Sequence, residues 1–190
     1  MSSKRRTLYL VLIVFAVLFV PLLAIAHDTE WPGDKLKTLA PAAESFEQRN
    51  LYVSDLQRQH LETALGTTLP EEDLKPSIYF SIIKKTPDGP SQRTEVILFI
   101  DAMGQQGKIE TGVVITSKGR LARIHLFENQ ESPLLTSNDF LAQFNGKGSA
   151  DPFVVGQDIK APAGQEESAQ AIAAGARRGL LLVEELFKKR

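Results

Sequence analysis

Between Ser77 and Glu128 the chain carries four apolar-rich runs of strand length, joined in pairs by turn chemistry, and nothing else in the sequence constrains the fold as tightly. Ser77 to Lys84 (SIYFSIIK) and Arg93 to Asp101 (RTEVILFID) flank Pro87-Asp88-Gly89-Pro90. Proline and glycine at that spacing reverse the chain, so the two runs pair antiparallel. Gly104 to Lys108 turns the chain again, and Ile109 to Thr116 (IETGVVIT) and Arg120 to Glu128 (RLARIHLFE) then flank Ser117-Lys118-Gly119, a second hairpin. Leu121, Ile124 and Leu126 do not quite alternate, and a bulge near Arg123 would bring them to one face.

Three helices surround these strands in the sequence. SDLQRQHLETALG has Ser54 as its N-cap, Gln57 at the capping-box position, Leu61, Ala64 and Leu65 on one face and Gly66 as its stop. SNDFLAQF is short, capped by Ser137 or Asn138 and ended by Asn145-Gly146. The last is Ala-rich, with Ala169, Ile172, Ala173, Ala176, Leu180, Val183 and Phe187 on one face, its small residues allowing close approach to a sheet. The loop delivering it, Gly156 to Ser168 (GQDIKAPAGQEES), ends on a helix N-terminus, where unpaired N–H groups and the positive end of the dipole favour an anion.

At the other end, Lys4, Arg5 and Arg6 precede an uninterrupted apolar run from Leu8 to Ala26. Its length is about that needed to span hydrocarbon, while Ala24-Ile25-Ala26 is an A-x-A cleavage pattern, so a retained anchor and a cleaved signal both remain open. Either way, the domain from His27 onward is expected on the extracytoplasmic side. Residues 27–50, with Pro32, Gly33 and Pro41, read as an exposed stalk, and residues 51–190 as the domain. Excluding Lys4, Arg5 and Arg6 leaves 19 basic against 23 acidic side chains, which argues against a nucleic-acid partner. With no cysteine, disulfides, thioether-linked haem, iron–sulfur clusters and thiolate zinc are excluded. His27, His60 and His125 have no spacing that would make a metal set. Any redox chemistry must use an organic cofactor.

The order of short motifs from Lys108 to Leu186 (GKI, GRLARIHLFE, Glu131-Ser132, FLAQFNGK, DPF, GQDI and the Ala-rich helix) resembles the FMN-binding domain family, which includes flavin-carrying extracytoplasmic subunits of membrane electron-transport complexes. The likeness is weaker upstream, in FEQRNLYVSDLQRQHLETALG. It implies an α+β fold, an antiparallel sheet with packed helices, behind one N-terminal transmembrane or signal helix. In the family the loop before the last helix resembles S-G-A-T, and its threonine is esterified to the FMN phosphate. This chain has Ala163, Gly164, Gln165 and Glu166 there, with Ser168 two residues on.

A carboxylate cannot make that phosphoester and carries the wrong charge. At about 5 Å from a phosphate and an effective dielectric near 20, it costs on the order of 3 kcal/mol per unit charge, roughly a hundredfold in affinity. Glu166 can instead satisfy the helix start, and Ser168 can cap the helix or hydrogen-bond a phosphate. The family's E-x-x-G loop over the flavin is matched only in part by Glu131-Ser132-Pro133-Leu134-Leu135, without the glycine. The resemblance therefore implies a cofactor site at Glu131, Ser132, Gly164, Gln165, Glu166 and Ser168, with FMN non-covalent if bound. Two roles follow: an electron-transfer protein with other subunits of a membrane redox complex as partners, or a flavin-free structural or assembly subunit on the same fold.

Overall fold

The computed structural model describes residues 32–84, 86 and 89–188. The apolar run from Leu8 to Ala26 lies outside them, as do Pro87 and Asp88 of the first hairpin turn. Among the described residues no helix is long and apolar enough to cross a membrane.

The elements in chain order are α1 (Gly33–Leu39), β1 (Ser45–Asn50), α2 (Asp55–Leu65), β2 (Ser77–Lys84), β3 (Ser91–Met103), β4 (Lys108–Thr116), β5 (Leu121–Glu128), α3 (Asn138–Leu141) and α4 (Glu166–Phe187). Short 3-10 turns lie at Glu71–Leu74, Pro133–Thr136 and Ala142–Phe144. The strands form one five-stranded sheet in sequence order, every pair antiparallel. The fold is α+β.

The expected bulge is present. Val114 pairs with Arg123 and Ile115 with Leu121, so Ala122 is the extra residue. That offset carries Leu121, Ile124 and Leu126 into the core together, all at most 5% exposed. On the same face lie Ile78, Leu98, Ile100, Val113 and Ile115, packed against Ala169, Ile172, Ala173, Ala176 and Leu180 of α4. Small side chains let α4 lie close: a Cβ at Gly179 would stand 3.3 Å from Ile100 Cγ1. Phe187, expected on the buried face, is 40% exposed because α4 by then has passed the core, with its ring edge-on to Phe80.

Local signals placed the other helices well. Ser54 and Gln57 close the capping box of α2, and Gly66 ends it at φ 72°. Leu61 is buried and Leu65 half-buried, but Ala64 is exposed, outside the narrow stripe that α2 offers. Ser137, not Asn138, caps α3, accepting from the Phe140 N–H.

The expected stalk is corrected. Residues 33–50 supply α1 and the edge strand β1, and Leu36, Leu39, Ala40 and Ala43 are at most 5% exposed, packed with Tyr79, Ile97 and Val114 on the second face of the sheet. A seven-residue helix has no stability alone, so its docking must hold it. Gly112 makes room: a Cβ there would stand 2.7 Å from both Leu39 Cδ1 and Phe127 Cε2. Arg123 Nε donates to the Leu39 carbonyl at 2.5 Å, and Lys35 pairs with Glu110 at 2.7 Å.

Candidate functional site

The loop before α4 is built by two side chains that the motif reading passed over. Asp158 of GQDI accepts from the N–H groups of Phe153 (3.1 Å) and Val154 (2.7 Å) and pairs with Lys147 at 2.7 Å. Burial raises the Asp158 pKa, but Lys147 and the two N–H groups outweigh it and hold the carboxyl below its usual range. Gln170 of α4 donates to the Phe153 carbonyl and accepts from the Val155 N–H. Phe153, buried and at φ 56°, is thereby held in the left-handed region, which a bulky residue rarely adopts.

The six candidate residues divide into two groups. Gly164, Gln165 and Glu166 stay at the surface of the turn entering α4. Gly164 has φ 74°, and its N–H donates to Glu166 Oε1 at 3.1 Å. Gln165 takes the N-cap position without a side-chain cap bond. The expectation that Glu166 satisfies the helix start is corrected accordingly: its bond goes back to the preceding turn. Ser132 caps the 3-10 turn at Pro133–Thr136, accepting from the Leu134 N–H at 3.3 Å.

Glu131 and Ser168, by contrast, meet inside the protein. Ser168 is completely buried and Glu131 is 7% exposed. The Ser168 hydroxyl donates to Glu131 Oε2 at 2.7 Å and accepts from the Gln105 N–H at 2.9 Å. Glu131 Oε1 accepts from the Gln106 N–H at 2.7 Å. Two successive N–H groups of the β3–β4 turn, itself closed by the Gly104 N–H to the Gly107 carbonyl at 2.8 Å, thus converge on a carboxyl and a hydroxyl. Gly104 is needed for this approach, since a Cβ there would stand 2.4 Å from Glu131 Oε1.

Ser168 therefore neither caps α4 nor stands open to a phosphate, and that part of the reading is corrected. The adjacent carboxyl and hydroxyl do not act as a base and its nucleophile, because a fully buried Oγ cannot reach a substrate. The pair ties three segments together: the β3–β4 turn, the loop after β5 and the first turn of α4. It was missed because Gln105 and Gln106 bond through their backbones, which leaves no signature in residue type.

Among the described residues no three histidine, aspartate or glutamate side chains converge as a metal site. Comparison of the chain with protein-family models, and with curated proteins, finds no match to either.

Proposed function

We propose that this chain is an exported, membrane-tethered protein of an envelope electron-transfer system, built like an FMN-binding domain but carrying no covalent flavin. The resemblance in motif order supports the family part of this reading, and the Ser168–Glu131 contact carries the part that denies a covalent flavin. In the segment aligned with the family's attachment loop there is no threonine, and the hydroxyl of Ser168 is buried, donating to Glu131 and accepting from the Gln105 N–H. A phosphoester at Ser168 would require breaking both bonds and opening the start of α4. The residues present do not fit a covalently attached flavin phosphate.

In this reading the apolar segment from Leu8 to Ala26 tethers the domain to the cytoplasmic membrane or exports it to the periplasm, and other subunits of a membrane redox complex are its partners. A second reading, a flavin-free structural or assembly subunit, is favoured by the same contact. The Ser168 hydroxyl in the first turn of α4 and the Gln106 N–H, which could otherwise serve a bound anion, both donate to the protein's own Glu131 carboxyl.

Visible absorption and denaturing-gel fluorescence of the purified protein separate these outcomes. A yellow protein that releases its colour on denaturation supports an electron-transfer role with non-covalent FMN. A colourless protein that fails to take up added FMN supports the assembly role. A fluorescent band on the denaturing gel overturns both.

A further inference from the structure

β1 (Ser45–Asn50) is an outer strand of the sheet. Just beyond it, the Leu51 and Val53 N–H groups donate to the Pro76 and Leu74 carbonyls, both at 3.0 Å. With Asn50 opposite Ser77, the same alternation runs back along β1: Ser45, Glu47 and Arg49 bond to β2, while Phe46, Gln48 and Asn50 turn their backbone groups outward. Among the described residues no other segment bonds those groups. The opposite edge is closed at its start, where Leu121 of β5 donates to the Lys147 carbonyl and accepts from the Gly146 N–H, both at 2.8 Å. We infer that β1 pairs antiparallel with β1 of a second copy, about a two-fold axis at Gln48, joining the two sheets into one.

The strand, SFEQRN, has no lysine or proline, the residues that commonly defend an edge, and its glutamate and arginine cancel in charge. Since outward groups must meet, even-numbered residues oppose even-numbered ones, and in the registers that overlap most of the strand the axis falls on Glu47, Gln48 or Arg49. An axis on Glu47 sets two carboxylates directly opposite, and one on Arg49 sets two guanidinium groups so. On Gln48 it sets Glu47 opposite Arg49 of the second copy, and Arg49 opposite Glu47. These ions are not free: within one copy Glu47 accepts from Arg49 at 3.0 Å and from Arg93 at 2.7 Å. Their part is to disfavour the neighbouring registers, while about six backbone bonds supply the attraction.

The axis stands perpendicular to the sheet, so both copies turn α1 to the same side. Two chains tethered to one membrane ahead of α1 can share that arrangement, a point that rests on the proposed tether; the pairing does not rest on it.

The chain has no cysteine, so a single one introduced on β1 reports the register. In the full-length protein in a non-ionic detergent, Gln48→Cys places two thiols at a hydrogen-bonded pair, with Cα atoms about 5.5 Å apart and within disulfide reach. Ser45→Cys and Asn50→Cys, also at exposed sites, leave them about 20 and about 14 Å apart. Mild oxidation followed on non-reducing gels should cross-link Gln48→Cys about tenfold faster than either. Adding Arg49→Glu, which sets carboxylates opposite each other, should slow that reaction about tenfold, whereas Arg49→Lys should leave it unchanged. Cross-linking that is equal at the three sites, fastest at position 45 or 50, or indifferent to Arg49→Glu overturns the inference.

Discussion

The Ser168 hydroxyl and the Glu131 carboxylate, 37 residues apart in the chain, are joined by a 2.7 Å hydrogen bond in the interior. Each has a second partner in the same turn, Gln105 for the serine and Gln106 for the glutamate. The carboxyl buried beside the first turn of α4 is thus that of Glu131, brought from a distant loop, while Glu166 is exposed.

Replacing Ser168 by Ala takes the donor from Glu131 Oε2 in the interior and the acceptor from the Gln105 N–H, a loss of about 1–3 kcal/mol. Glu166→Ala removes only an exposed bond to Gly164 and should stay within about 0.5 kcal/mol. Urea unfolding midpoints at unchanged m measure both. Equal effects from the two substitutions would contradict the assignment.

Asp73, in the 3-10 turn before β2, is 5% exposed with Arg178 Nε 2.6 Å away. Burial pushes its carboxyl from 3.8 up to about 6, against the opposing Arg178 guanidinium and with Glu72 and Asp101 adding to the rise. Because the folded form holds this proton more tightly, the group's contribution is complete below the unfolded value of 3.8 and is lost as pH rises through about 6. Relative to Asp73→Asn, the wild type should lose on the order of 2–3 kcal/mol between pH 4 and 7, read from paired urea titrations. A gain over that window would mean that Arg178 outweighs burial.

Gly112→Ala forces a methyl against Leu39 and Phe127 and should cost about 1–3 kcal/mol. Leu39→Ala alone should cost about 2–4 kcal/mol by leaving a cavity under α1. Since the first clash is relieved by the second truncation, the double variant should fall short of the sum by about 1 kcal/mol. Strict additivity would show that α1 does not rest on Gly112.

Ser54→Ala removes the N-cap of α2 at an exposed position and should cost about 1 kcal/mol. Gln57→Ala should cost more than Ser54→Ala, since the Gln57 side chain both completes the capping box and donates to the Glu185 carbonyl of α4 at 3.2 Å. Thermal melts of the two variants rank them.

The four central strands, α2, α3 and α4 were legible because their signals are local. A capping residue, a left-handed glycine or a turn pair acts within a few residues of itself, and even the bulge at Ala122 was visible as a break in the apolar alternation of β5. Residues 33–50 were misread for the opposite reason. GDKLKTL and SFEQRN are too short and too polar to announce a helix and a strand, and they are held by Leu39 against Gly112 and by pairing with β2.

At the candidate site, residue types alone determined that no threonine stands in the loop before α4 to accept a phosphoester of the kind seen in the FMN-binding domains that the chain resembles. The resemblance, not residue type alone, brought up Glu131 and Ser168 as separate candidates. Only the tertiary structure decided that these two residues satisfy each other, because a hydrogen bond between distant segments depends on how the β3–β4 turn, the loop after β5 and α4 converge, and no local pattern encodes that convergence.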